Sequence, residues 1–143
     1  MKEVLDFKNI GLRGVKVADT RISDVDGEKG ALIYRGYNIV DLARSSTFEE
    51  VSFLLLNDRL PTREELARFE KELISEREVP DAVLALMRMM PSSTNPMDML
   101  QASIAILASY DPQLHDETKE ANLKKAIRLI AKLPTIVAAW DRI

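Results

Sequence analysis

The chain of 143 residues has no cysteine, one histidine, one tryptophan and five glycines. Without cysteine there is no disulfide, no thiolate metal ligand and no thiol nucleophile. The one imidazole, His115, lacks the partners that nucleophilic triads and histidine-based metal sites need. It lies in a polar stretch with Asp111, Asp116 and Glu117, and reads as a solvent-exposed loop residue rather than a general catalyst. Glycine-rich phosphate loops are absent, and Gly11-Leu-Arg-Gly14 matches neither nucleotide-binding pattern. No basic stripe exists: 20 basic and 23 acidic residues are interleaved, for a net charge of −3. That argues against nucleic acid as a partner. The longest uncharged run, Met99 to Tyr110, falls short of the roughly 20 residues that span a bilayer. The opening MKEVLDFKNIGLRG lacks the apolar stretch of a signal peptide. A cytoplasmic protein is expected, with no membrane partner. Plentiful Glu, Lys and Arg lean weakly towards a thermophilic source.

Two acidic or basic clusters resemble sites and fail on spacing. Asp24-Val-Asp26-Gly27-Glu28 opens like a calcium loop, but glycine stands fourth and the twelfth residue is Arg35. An EF-hand requires glycine sixth and a bidentate glutamate twelfth, so the segment reads as a turn with solvated acids. Arg35-Gly36-Tyr37 could hold an amide and a guanidinium near an anion. A strand end with a tight turn is the preferred reading.

What the sequence does contain is helix, punctuated locally. Residues 1–14 show no period and read as an irregular arm. Residues 15–37 carry β-branched alternation around Ile22, a DGEKG turn with Gly27 and Gly30 free to take positive φ, and a return strand ALIYRGY. They read as a β-hairpin. Residues 38–143 read as helices: a short turn at Ile39–Ala43, then two capping boxes, Thr47/Glu50 and Thr62/Glu65. Pro61 is expected to end the first boxed helix. Leu66, Phe69, Leu73 and Ile74 form the apolar face of the second. Pro80 opens DAVLALMRMM, Asn95-Pro96 opens the next helix, and Asp111-Pro112 closes it. The last helix begins near Glu120, with Pro134 expected to kink or split it. The six methionines, Met87, Met89, Met90, Met97 and Met99 among them, read as core or interface filler.

Two runs stand apart. NPMDMLQASIAILASY, from Asn95, and AIRLIAKLPTIVAAWDRI, from Ala126, are apolar around most of the cylinder. Such helices need cover on most sides. A short chain can hide about one, so the second implies burial against something else.

The ordered segments VADTRISDVDGEKGALIYRGYNIVDLA, FEEVSFLLLNDRLPTREEL, NPMDMLQASIAILASYDP and AIRLIAKLPTIVAAW resemble the opening part of citrate synthases and 2-methylcitrate synthases. One departure is Asn95, where many members carry histidine. Asparagine is a good N-cap, so the change reads as structural. The resemblance implies a mainly α, multi-helical large-domain segment preceded by a small N-terminal β-hairpin, spanning 1–143. It implies a homodimeric enzyme that condenses acetyl-CoA with oxaloacetate to citrate and CoA. Acetyl-CoA would be a co-substrate, and no cofactor would be tightly held. The family's aspartate base and two histidines lie in later sequence that nothing here matches, so no catalytic residue is assigned in this chain. The partner it implies is a C-terminal portion or subunit carrying that chemistry, and the chain alone is expected to be inactive. By the same resemblance, Met97, Leu100, Ile104, Leu107, Ile136, Val137 and Trp140 belong to subunit contacts or to the central core. A non-catalytic dimerising or regulatory module, and part of a 2-methylcitrate synthase, stay open as alternatives.

Overall fold

The computed structural model describes residues 12, 15, 16 and 18–143. Apart from an exposed Leu12, the arm read at 1–14 lies outside the described residues. The order is three short strands, β1 (Ser23–Asp26), β2 (Ala31–Tyr34) and β3 (Tyr37–Asn38), then six helices. These are α1 (Ile39–Ser45), α2 (Phe48–Asn57), α3 (Arg63–Ser75), α4 (Asp81–Met89), α5 (Pro96–Ala108) and α6 (Lys119–Arg142). The mainly helical fold behind a small N-terminal sheet is as the sequence implied.

The hairpin is shorter than expected and has a third strand. β1 pairs with β2 antiparallel, Ser23 opposite Tyr34 and Asp26 opposite Ala31. β2 turns away at Arg35, and one further bond, Arg35 N–H to the Ile22 carbonyl at 2.9 Å, extends the contact beyond Ser23. The ALIYRGY segment divides because Arg35 (φ 47°) and Gly36 (φ 88°) both take positive φ. Positive φ at both central residues is the mark of the two-residue hairpin turn matched to strand twist, and Tyr34 pairs with Tyr37 across it. In the first turn Gly30 takes positive φ (63°) but Gly27 does not. There the Asp26 carboxylate accepts from the Glu28 and Lys29 amides at 3.2 and 3.0 Å, making a local Asx turn. Packing of α1 on β2 and β3 gives this small sheet its support.

Helix starts follow local chemistry closely. Both capping boxes form, and Asn38, Asn95 and Thr118 each accept a first-turn amide. Asn95 Oδ1 takes the Met97 N–H at 2.9 Å, with Pro96 in the first turn. The Arg59 guanidinium and the Thr62 amide beside Glu65 hold its carboxyl down to about 2 from 4.5. Thr62→Ala removes the cap hydroxyl that accepts the Glu65 amide and should lower stability by about 1 kcal/mol in a denaturant titration. Stops are less local. Asp58, left-handed at φ 65°, ends α2 three residues before Pro61. Pro80 is the N-cap of α4 rather than its first helical residue.

Three helices lack a basic residue in their last turn, α2, α3 and α5. The first two each receive a cation from far away. Arg35 Nη2 donates to the Leu55 carbonyl at 3.2 Å and pairs with Asp58. Lys132 Nζ donates to the Glu76 carbonyl and lies 3.5 Å from its carboxylate. A positive charge there meets the negative end of the helix dipole.

The core is two apolar clusters strung along α6. One joins Phe69 and Leu73 to Ile127 and Ala131, with Phe53, Leu56, Leu123 and Ile130 packed on it. The Phe53 and Phe69 rings meet edge to face at 5.6 Å. The other joins Val79, Val83, Met87, Met99 and Leu107 to Ile136. Ile74 departs from the expected α3 face, being 59 % exposed. It stands about 100° around the helix from buried Leu73. Pro134 does not split α6, which runs unbroken for 24 residues. The missing proline amide leaves the Ile130 carbonyl without its usual donor, while packing at both ends, through Ile127 and Ile136, keeps the helix whole.

Candidate functional site

The seven residues tied by resemblance to subunit contacts or core fall into four surroundings. Ile136 is fully buried and Leu107 is 5 % exposed, both within the chain's own second cluster. Met97 stands out on the surface at 68 % exposure. Leu100, Val137 and Trp140 come together in one groove, and Ile104 lies with Leu107 at another. The split follows from helical period. On α5 the buried line is Met99, Ser103 and Leu107, spaced i, i+4, i+8. Met97 falls on the opposite side, and Leu100 and Ile104 lie one step round from the centre of the line. Met87, Met90 and Met99, read from sequence as core or interface filler, also line the first groove. Ser103 is buried with its hydroxyl donating to the Met99 carbonyl at 2.9 Å, so it needs no outside partner.

The first groove holds about 510 Å³ between α4, the start of α5 and the end of α6. Its walls are Met87, Met90, Met99, Leu100, Val137 and Trp140, and its charged residues are Arg88 and Asp141. The second, about 290 Å³, lies between α5, α6 and the 111–114 loop. It contains a mostly buried two-bond ion pair. Arg128 Nε and Nη2 donate to the two Asp111 oxygens at 3.0 and 2.8 Å, and Nη2 also donates to Gln113 Oε1 at 3.1 Å. Both side chains are mostly buried, 16 % and 14 % exposed. Burial opposes ionisation of Asp111. The Gln113 amide, the Arg128 guanidinium and the Lys125 charge outweigh it and hold the carboxyl below its ordinary range. Lys125 Nζ meanwhile donates to the Asp116 carbonyl at 2.7 Å. The group ties the 111–118 loop to α6. Seventeen residues separate Asp111 from Arg128, so no local pattern announced the pair.

His115 is exposed in that loop, with no role in the tie. Asp24 lies within β1, and Asp26 opens an ordinary turn. Among the described residues, no three His, Cys, Asp or Glu side chains are placed to hold a metal ion. Among them, too, no helix is long and apolar enough to cross a membrane. What the geometry offers is surface for packing.

A family model described as "Citrate synthase, C-terminal domain" matches residues 11–143. A citrate synthase from Deinococcus radiodurans is 40% identical, over 92% of this chain and 35% of its own length. A 2-methylcitrate synthase from Mycobacterium tuberculosis is 43% identical, over 90% of this chain and 32% of its own. The crystal structure of citrate synthase from Pyrobaculum aerophilum superposes with a TM-score of 0.84 at 40% identity, covering 92% of this chain and 35% of that one. The chain thus spans about a third of the length of the relatives it matches. Similarity of sequence and of fold agrees along nearly all of it: the chain belongs to the citrate synthase family.

Proposed function

We propose that the chain is the N-terminal portion of a citrate synthase large domain, acting in the cytoplasm within a homodimer that condenses acetyl-CoA, oxaloacetate and water to citrate and CoA. One observation carries this reading. Identity of about 40% holds across nearly the whole chain, yet the match covers only 35% of a relative of that activity. The chemistry supports a division of labour. Enolising a thioester needs a positioned base for the methyl proton and a donor for the developing enolate oxygen. This sequence has a single histidine, exposed in a loop, so base and donor must come from the remaining two-thirds. The chain's contribution is a helical platform for that remainder and for the second subunit.

The test joins this chain to the unmatched two-thirds of the Pyrobaculum aerophilum enzyme and follows CoA release with oxaloacetate. The chimera should turn over acetyl-CoA, and the 143-residue chain alone should not. A folded, assembled chimera that released no CoA would overturn the reading. The Mycobacterium tuberculosis relative, at 43% identity, favours a second reading with propionyl-CoA and 2-methylcitrate. Running the chimera with both thioesters tests whether this segment biases the choice.

A further inference from the structure

We infer that residues 111–118 form a strap that opens from α6 as one unit, widening the second groove while both apolar clusters stay packed. Three observations carry it.

The strap adds nothing to the core. None of its residues belongs to either cluster. Asp111 and Gln113 are half-buried, while Pro112 and residues 114–118 are exposed. Its own hydrogen bonds are short turns. Gln113 N–H donates to Asp111 Oδ1 at 2.8 Å, and Thr118 N–H to Asp116 Oδ1 at 2.9 Å. Leu114 N–H donates to the Asp111 carbonyl at 3.2 Å, and Asp116 N–H to the Gln113 carbonyl at 3.0 Å. Ordering each residue costs conformational entropy, and solvent-exposed turns of this kind do not offset it unaided.

One face of α6 holds the strap closed. Arg128 bonds Asp111 and Gln113 in its first half. Lys125, three residues earlier and so on the same side of the helix, donates to the Leu114 and Asp116 carbonyls at 3.4 and 2.7 Å. Asn122 Nδ2 adds a bond to the Glu117 carbonyl at 3.1 Å, close to where the strap runs into the helix. A segment with little buried apolar surface and exposed hydrogen bonds belongs to the part of a fold that opens first. Because the turns interlock from Asp111 to Thr118, release of either pin unravels the whole segment.

The strap is also a wall. Asp111, Pro112 and Leu114 line the second groove together with Ile104, Leu107 and Leu129 of α5 and α6. Opening withdraws the first three and leaves the helix side chains in place. It also frees Arg128 and Lys125 from their bonds at once. The open groove is therefore wider and more cationic than the closed one.

Amide hydrogen exchange, followed by NMR on the 143-residue chain in low concentrations of urea, tests this. The strap probes are the Gln113, Leu114, Asp116 and Thr118 amides, and the references are the buried helix residues Leu107 and Ala131. The strap amides should share one level of protection, at least about tenfold below the references, and respond to urea more weakly than they do. Lys125→Met keeps the aliphatic stem and removes the donor. It should speed exchange at all the strap amides by a common factor of at least about ten, since bonds from a charged donor are lost. Arg128→Met should accelerate the same set. Circular dichroism checks that the helices of each variant are intact. If Arg128→Met does not fold, the Lys125→Met pattern decides alone. Strap amides that match the references in protection and urea response would overturn the inference, because the strap would then open only with the whole fold. So would acceleration by Lys125→Met confined to the Asp116 and Thr118 amides, which is piecemeal fraying, or no acceleration at all.

Discussion

Ile136→Ala should cost about 3–4 kcal/mol in urea denaturation. Ile136 is fully buried where α6 meets Met87, Met99 and Leu107. Truncation removes three carbon atoms from a cluster bounded by helices on several sides, where little can collapse into the space. A domain of this size has a total stability on the order of 5–15 kcal/mol, so the loss is a large share. Val137→Ala, one residue on, should change the chain's own stability by less than about 0.5 kcal/mol, because Val137 is 55 % exposed. Equal losses at the two positions would mean that the assigned face of α6 is wrong.

Asp111→Ala should cost about 2–4 kcal/mol at neutral pH. The substitution strands a mostly buried guanidinium and frees the 111–118 loop from α6. The double variant Asp111→Leu/Arg128→Met should recover most of that loss, since an apolar pair of similar volume avoids the desolvation of both charges. If the double variant is as unstable as the single one, the pair specifies the loop conformation in a way that apolar packing cannot replace. The acid dependence follows from the sign of the shift. The folded-state carboxyl of Asp111 is depressed, so its contribution is full above the unfolded value near 4. It fades as pH falls through the lower folded value. Glu65 adds an acid-sensitive contribution in the window between 4.5 and about 2. Stability measured from pH 5 downward should fall less steeply in Asp111→Asn/Glu65→Gln than in the parent chain.

Legibility in the sequence tracked the range of the interactions. The two capping boxes, the Asn95 N-cap and the Asx turn at Asp26 use atoms within four residues of each other, and they were readable or nearly so. The tight turn at Arg35–Gly36 was readable, but the third strand after it was not, because Arg35, rather than the asparagine or aspartate usual in a hairpin, occupies the first left-handed turn position. Its guanidinium bonds the end of α2, twenty residues away, a contact that can offset the strain of that position. Pro134 was expected to kink or split α6, and the helix is not split there, with one packed cluster on either side of the proline. Both apolar runs form helices, and each buries a line of side chains within the chain. Which side of α5 faced inward depended on its rotation about its axis, and Met99 and Ser103, not Met97, mark the inner line. The Asp111–Arg128 tie and the Lys132 contact with Glu76 join residues 17 and 56 apart. They became visible only once the chain was folded.

The single long helix from Lys119 to Arg142 gives the chain its mechanical unity. Neither of the two greasy nuclei shares a residue with the other, and both grip this one rod at different heights. Unwinding it anywhere near its middle, at the proline, would release both nuclei together, so the segment should melt as one body and not by halves.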